Sequence, residues 1–229
     1  MKRIYEQVSW HANDNGFEVQ LDGRQLKSPA KQALTLPTEA LAKQVADEWD
    51  AVEETVEPAA MPYFSLAVTI IDRVSPQRAE LISQMVSYGM NDLLCYREAT
   101  DMVLASRQTE NWDSWLDWAH SEYGLSLQTT TGIMPITQAD LNVPKLETAI
   151  SALTDWELGV LVRAASLGGS LVLGLAFVTG KLDAARLFSL SFLDELYQGE
   201  KWGEDAEAVQ RLNNIRAELD AAHVFLTLI

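Results

Sequence analysis

Cysteine is almost absent. A single Cys95 in 229 residues rules out an internal disulfide and any cysteine-rich zinc site. Basic residues are also scarce, with 17 Lys and Arg against 33 Asp and Glu and a formal charge of −16. A polyphosphate backbone would repel such a chain, which has no basic stripe to hold one, so no nucleic-acid partner is expected. Only 12 Gly and 7 Pro occur and hydrophobic residues make up 48 %, a globular composition and not a disordered or fibrous one. The longest uncharged apolar run, Ala164 to Val178, has 15 residues, short of the roughly 18 that suggest a membrane span. No apolar run follows the charged pair in Met1-Lys2-Arg3-Ile4-Tyr5-Glu6, so no secretory signal is expected. These absences predict a soluble, acidic protein of a reducing compartment.

Catalytic signatures are missing too. Gly168-Gly169-Ser170 lies in an apolar helical pattern, and Gly180-Lys181 is followed by Leu182. Neither builds a phosphate-binding loop or a serine nucleophile elbow. Cys95 sits in the apolar run Leu93-Leu94-Cys95, a setting for a buried, inert thiol. Asp117-x-x-His120 and Asp220-x-x-His223 imitate half of a di-iron bundle. The usual glutamates are replaced by the shorter Asp and no bridging Glu is evident, so no metal and no cofactor are expected.

What is present is a change of period. Phe17-Glu18-Val19-Gln20-Leu21 alternates as a strand, Asp22-Gly23 offers a tight turn, and Arg24–Ser28 returns. Ala33–Leu36 and Ile4–Trp10 add further strands. From Thr38, an N-cap, the spacing becomes helical, with Leu41, Val45, Trp49 and Val52 on one stripe. Leu66, Ile70 and Val74 mark a helix apolar on most sides and hence expected to be buried. Ile82, Val86, Gly89 and Leu93 mark another helix. So do Trp112, Trp115, Leu116, Ala119 and Tyr123, with Gly124 as the stop. Thr154-Asp155-Trp156-Glu157 reads as a capping box opening a helix that carries Ser166, Ser170 and Gly174 as a strip of small residues. Asp183 caps a helix with Leu187, Leu190, Leu193 and Tyr197 facing inward, and Val209 to Leu226 form a last amphipathic stripe. The expected fold is α+β: an antiparallel β subdomain over 1–37, then a larger multihelical domain over 38–229.

Acidic residues concentrate in two stretches. Between residues 39 and 58 there are seven acids and one base; between 194 and 220 there are eight acids against Lys201, Arg211 and Arg216. A solvated face explains such runs. The sharper reading is a surface for a basic partner, with Tyr197 and Trp202 as aromatic anchors among the charges. Seven tryptophans are many for this length. Trp49, Trp112 and Trp115 lie on apolar stripes and belong in the core, whereas Trp202 falls at an interhelical corner.

In order, these segments resemble a known family. Leu21-Asp22-Gly23-Arg24, Leu36-Pro37-Thr38, Glu48-Trp49, Met61-Pro62, Ile71-Asp72-Arg73-Val74 and Asp92-Leu93-Leu94-Cys95-Tyr96-Arg97 begin the match. Trp112-Asp113, Gly132-Ile133-Met134-Pro135, Ser170–Ala176 and Asp194-Glu195-x-Tyr197-Gln198-x-Glu200-x-Trp202-Gly203-Glu204-Asp205 continue it. The resemblance is to the mitochondrial and α-proteobacterial ATP synthase assembly chaperones, the family of F-one complex assembly factor two. It departs at Tyr63, Phe64 and Val68, which are more apolar than the pattern. The resemblance implies a β subdomain joined to a multihelical domain. It implies binding without catalysis or cofactor, with the unassembled alpha subunit of the ATP synthase head as partner. It implies partner contacts around Asp194, Glu195, Tyr197, Glu200, Trp202 and Glu204, and structural roles for Trp49, Asp72 and Arg73. A monomer is favoured, cytoplasmic in a bacterium and in the mitochondrial matrix of a eukaryote. The alternative function is a small cytosolic enzyme with a carboxylate site drawn from Asp194, Glu195 or the Asp-x-x-His pairs; an acidic mimic of nucleic acid is a third.

Overall fold

The computed structural model describes residues 2–132 and 134–229; Ile133, within one of the family motifs, lies outside them. Four strands come first: β1 (Val8–Asn13), β2 (Gly16–Leu21), β3 (Arg24–Gln25) and β4 (Thr35–Leu36). β2 is central. β1 runs antiparallel along one side with Trp10 opposite Val19, and β3 and β4 share the other, with Leu21 opposite Arg24 and Phe17 opposite Leu36. The β2–β3 turn places Asp22 at φ 49° and Gly23 at φ 73°, the two positive values of a type I′ turn, whose twist matches the flanking strands. The Asp22 carboxylate accepts the amides of Glu6 (3.0 Å) and Gln7 (2.9 Å), which fastens the chain ahead of β1 to the turn.

The period changes at Pro37, where the sequence pattern shifts, and α1 (Glu39–Asp50) follows. Thr38 accepts the Leu41 amide at 3.1 Å and donates its hydroxyl proton to the Leu228 carbonyl. Leu41, Val45 and Trp49 are buried on the expected stripe. Tyr5 donates to the Trp49 carbonyl at 2.6 Å, and Phe64 meets the Trp49 ring edge-on at 5.0 Å. The next helix, α2 (Pro62–Thr69), runs into a wide π turn at Ile70–Val74. Here the expectation of a buried helix is corrected. Only Ala67, Ile70 and Val74 are buried, while Tyr63, Phe64, Leu66 and Val68 stay half-exposed. Asp72 accepts from the Ser28 hydroxyl (2.5 Å) and the Ala30 amide (3.1 Å), holding the loop after β3; Arg73 is exposed.

Glu48 reaches from α1 to the start of α2 and accepts the amides of Tyr63 (2.8 Å) and Phe64 (2.7 Å), which have no intrahelical partner. Burial outweighs these two donors and pushes the Glu48 carboxyl up to about 7.

Residues 1–78 and 221–229 form one compact unit, and 79–220 a second. The second contains α3 (Arg78–Gly89, from its second residue), β5 (Tyr96–Arg97), α4 (Met102–Tyr123), β6 (Thr130–Thr131), α5 (Asn142–Ser151), α6 (Asp155–Gly168), α7 (Leu171–Val178), α8 (Ala184–Ser191) and α9 (Leu193–Trp202). The last helix, α10 (Ala206–Leu228), begins in this unit and has its final turns in the first. β5 and β6 pair in parallel, Tyr96 opposite Thr130. The capping box at Thr154 and Glu157 is formed in both directions, and Asp183 caps α8 by accepting the Arg186 amide at 2.7 Å.

The strip Ser166, Ser170, Gly174 does not lie on one helix. Gly169 adopts φ +78°, a left-handed geometry that stops α6 at little cost for glycine. Ser170 then caps a separate helix, α7, accepting the Leu173 amide at 3.1 Å. α7 is buried from Leu171 to Phe177. Its first turn is met by Asp92, itself fully buried, which accepts the amides of Val172 (2.9 Å) and Leu94 (3.0 Å). Trp112 on α4 is also fully buried and donates Nε1–H to the Leu190 carbonyl at 3.0 Å. The Arg97 guanidinium lies 5.4 Å from the Trp112 ring centre and pairs with Asp113 at 2.8 Å; that ion pair is not aligned as a hydrogen bond. Burial pushes the Cys95 thiol up to about 12, which keeps it protonated and unreactive near neutral pH.

Two outcomes follow for the first unit. Trp49→Ala should lower stability by about 3–5 kcal/mol, the usual cost of truncating a buried tryptophan, read as a lower urea midpoint. Glu48 binds its proton more tightly folded than unfolded, so its contribution to stability is largest below the usual Glu range and falls as pH rises toward 7. The loss is at most roughly 3 kcal/mol and smaller after solvent screening. Urea titrations at pH 5, 6 and 7 should show Glu48→Gln losing less stability over that range than the parent; parallel slopes would mean Glu48 is ionised throughout.

Candidate functional site

The sequence-expected partner residues lie on α9 and just after it. Leu193 and Tyr197, one turn apart, are buried, which turns the residues between and beyond them to other faces. Asp194 is half-buried and accepts from Gln108 Nε2 at 2.8 Å. Burial pushes its carboxyl above the usual range, with the nearby Glu98 charge adding to the rise and the Gln108 bond opposing it. Glu195 forms a salt bridge with Arg211 of α10, and Glu200 pairs with Arg107 of α4 at 2.7 Å. Trp202, the last residue of α9, is 70 % exposed. Glu204 is exposed in the connection to α10, where Asp205 accepts the Ala208 amide at 3.0 Å.

Tyr197 is not the surface anchor suggested by the acidic surroundings. It is 7 % exposed, and its hydroxyl donates to Asp101 at 2.9 Å. The Arg107 guanidinium stands 4.9 Å from its ring centre. Its role is to seat α9 against α4, with Trp202 left as the exposed aromatic.

Four organising residues escaped the sequence reading: Glu98, Asp101, Arg107 and Gln108. Asp101 caps α4 by accepting the amides of Val103 (3.0 Å) and Leu104 (3.3 Å), and it also accepts from Tyr197 and from Lys201 Nζ at 2.7 Å. Lys201 and Tyr197 hold the Asp101 carboxyl well below the usual range. Glu98 accepts from the Thr100 hydroxyl and the amides of Thr100 and Asp101, which brings it down to about 2. Gln108, 1 % exposed, accepts the Glu98 amide at 2.7 Å and donates to Asp194. An Asp ahead of an apolar helical run could have signalled the Asp101 cap. Gln108 and Asp194 are 86 positions apart, and no local pattern links them.

The result is an open groove lined by Glu98, Thr100, Asp101, Met102, Tyr197, Gln198, Lys201 and Trp202. It presents apolar surface beside carboxylates that stay ionised near neutral pH, a surface suited to binding. Among the described residues, no three His, Cys, Asp or Glu side chains gather as a metal-binding group. No described helix is long and apolar enough to cross a membrane.

The model of the ATP12 chaperone protein family matches residues 2–120, just over half of the chain. The chain belongs to the ATP12 chaperone family. The family that the ordered motifs resembled, the assembly chaperones of ATP synthase, is the family found. The crystal structure of Atp12 from Paracoccus denitrificans is 38 % identical and superposes with a TM-score of 0.93 over 99 % of this chain and 97 % of that one. The Atu1473 protein of Agrobacterium tumefaciens is 34 % identical, with a TM-score of 0.92 over 99 % of this chain and 85 % of that one. The mitochondrial Atp12 protein of Schizosaccharomyces pombe is 28 % identical over 91 % of this chain and 76 % of its own length. These matches extend the ATP12 likeness through the helical unit that carries α9.

Removing the Gln108 bridge should expose its importance. In Gln108→Leu the Glu98 amide and the half-buried Asp194 carboxylate both lose their partner, at a cost of about 1–3 kcal/mol. The Asp194 carboxyl should move further up, because the one hydrogen bond opposing its rise is gone. Urea denaturation and carboxyl-carbon NMR titration check the two effects.

Proposed function

We propose that this ATP12-family chain is an assembly chaperone for the soluble head of F-type ATP synthase that binds the unassembled alpha subunit and keeps it from aggregating. It acts by binding and not by catalysis. The observation that carries the reading is the near full-length likeness to Atp12 of Paracoccus denitrificans at 38 % identity. The physical demand is clear: a subunit awaiting its obligate partner exposes apolar interface that aggregates unless covered. The end of α9 supports the reading, with Trp202 and Glu204 exposed and Glu200 exposed just before them. In a bacterium the site of action is the cytoplasm, and in a eukaryote the mitochondrial matrix, in keeping with the two yeast relatives being mitochondrial.

The test is dilution of denatured alpha subunit into buffer with and without an equimolar amount of the chain, followed by light scattering. The parent should suppress scattering. Glu195→Lys should suppress it less while keeping the parent's circular dichroism, because a partly exposed pair such as Glu195–Arg211 is worth only about 0.2–1 kcal/mol to the fold, whereas reversing a charge inside a complementary interface adds repulsion. A parent that leaves alpha-subunit aggregation unchanged would overturn the reading.

A further inference from the structure

We propose that the groove between the start of α4 and the last turns of α9 takes an extended segment of the partner protein in which an apolar side chain stands beside a lysine or arginine. This rests on the chaperone reading above and names the chemistry of the segment recognised.

Three observations support it. The first is apolar exposure: Met102 is 77 % exposed and Trp202 70 %, both lining the groove, and Val103 next to Met102 is 57 % exposed. Large apolar groups held together at a surface mark interaction sites, and tryptophan and methionine are favoured in interface cores. The second is charge. Glu98 and Asp101 line the groove with Lys201, which pairs with Asp101 at 2.7 Å, so the lining residues keep one net negative charge. Glu204, Asp205 and Glu207 continue the negative sign beyond Trp202 and are exposed. A positively charged segment is attracted there, while an anionic lipid surface or a nucleic acid is repelled. The third is preorganisation. Asp101 ties Tyr197, Lys201 and the first amides of α4 into one arrangement, so little ordering cost remains for a ligand to meet. With Lys201 already 5.0 Å from its ring centre, Trp202 still exposes most of its surface to an incoming apolar or cationic group.

The test uses the full chain and two short fluorescein-labelled peptides, one alternating leucine with arginine and one alternating leucine with glutamate, followed by fluorescence anisotropy. The leucine–arginine peptide should bind and the leucine–glutamate peptide should not. Trp202→Ala and Met102→Ser should each weaken binding about tenfold or more, the loss expected of an anchor residue, with circular dichroism unchanged because both side chains are exposed. The double variant Glu53→Gln, Glu54→Gln, which removes exposed acids of the other unit, should bind as the parent does. Equal binding by Trp202→Ala, equal binding of both peptides, binding of neither, or loss of binding in the Glu53, Glu54 variant would each overturn the proposal. So would a dimer in sedimentation that Trp202→Ala dissolves, since the groove would then hold a second copy of the chain. Peptide binding that follows the groove variants, with no capture of alpha subunit, would sink the chaperone reading alone. Capture of alpha subunit by the parent, with binding indifferent to Trp202 and Met102, would sink the groove alone.

Discussion

The helical unit is organised around a carboxylate sealed from the protein surface. Asp92 is fully buried, and a buried charge is tolerated only where donors surround it. Those donors are the amides of Val172 at the start of α7 and of Leu94 in its own turn, joined by the Ser170 hydroxyl and the Leu171 amide. The need is mutual. α7 is buried over seven consecutive residues, so its first-turn amides cannot reach solvent and must find an acceptor in the protein. Burial pushes the Asp92 carboxyl above the usual range while these donors pull it down. Leu93 donates its amide to the Gly169 carbonyl at 3.1 Å, which ties the same turn to the break between α6 and α7.

From that anchor the packing leads outward to the surface. α4, α6 and α8 pack on α7, and the Trp112–Leu190 hydrogen bond fastens α4 to α8. α8 passes through Phe192 into α9, so the position of α9 against α4 is largely set before its own contacts are counted. Asp101 and Gln108 complete the seating, each joining α4 to a different turn of α9. Trp202 is thereby presented at the rim of a groove whose walls are already ordered.

The acidity of the chain has a different meaning once these partners are known. Glu48 caps α2, Asp72 holds a loop, Asp92 serves α7, Asp101 serves α4 and α9, and Asp183 and Glu157 cap helices. In the second acid-rich stretch Asp194, Glu195 and Glu200 also have internal partners. Much of the negative charge therefore organises the fold through backbone amides and neighbouring cations. The part left for a partner is smaller than the count of acids suggests, and it concentrates where Glu204 and its neighbours follow Trp202.

Local chemistry was legible in the sequence. The Asp22-Gly23 turn, the Thr38, Thr154 and Asp183 caps, the Trp49 stripe, the stop at Gly124 and the α+β order all follow from interactions within about one turn of chain, and ordered motifs along the chain carried the family. Long-range pairing decided the rest. The helix drawn through Gly168-Gly169-Ser170 breaks at the left-handed Gly169, and the Ser170 hydroxyl and Asp92, 80 positions from Val172, accept amides of the new helix. Tyr197 faces inward as its stripe predicts, and the hydrogen bond it donates to Asp101, 96 positions away, settles it as a strut and not as the surface anchor that the acidic surroundings suggest. The half-exposure of α2, the Gln108–Asp194 link and the meeting of Met102 with Trp202 at one groove likewise arise from packing between distant segments, which a periodic pattern of side chains does not encode.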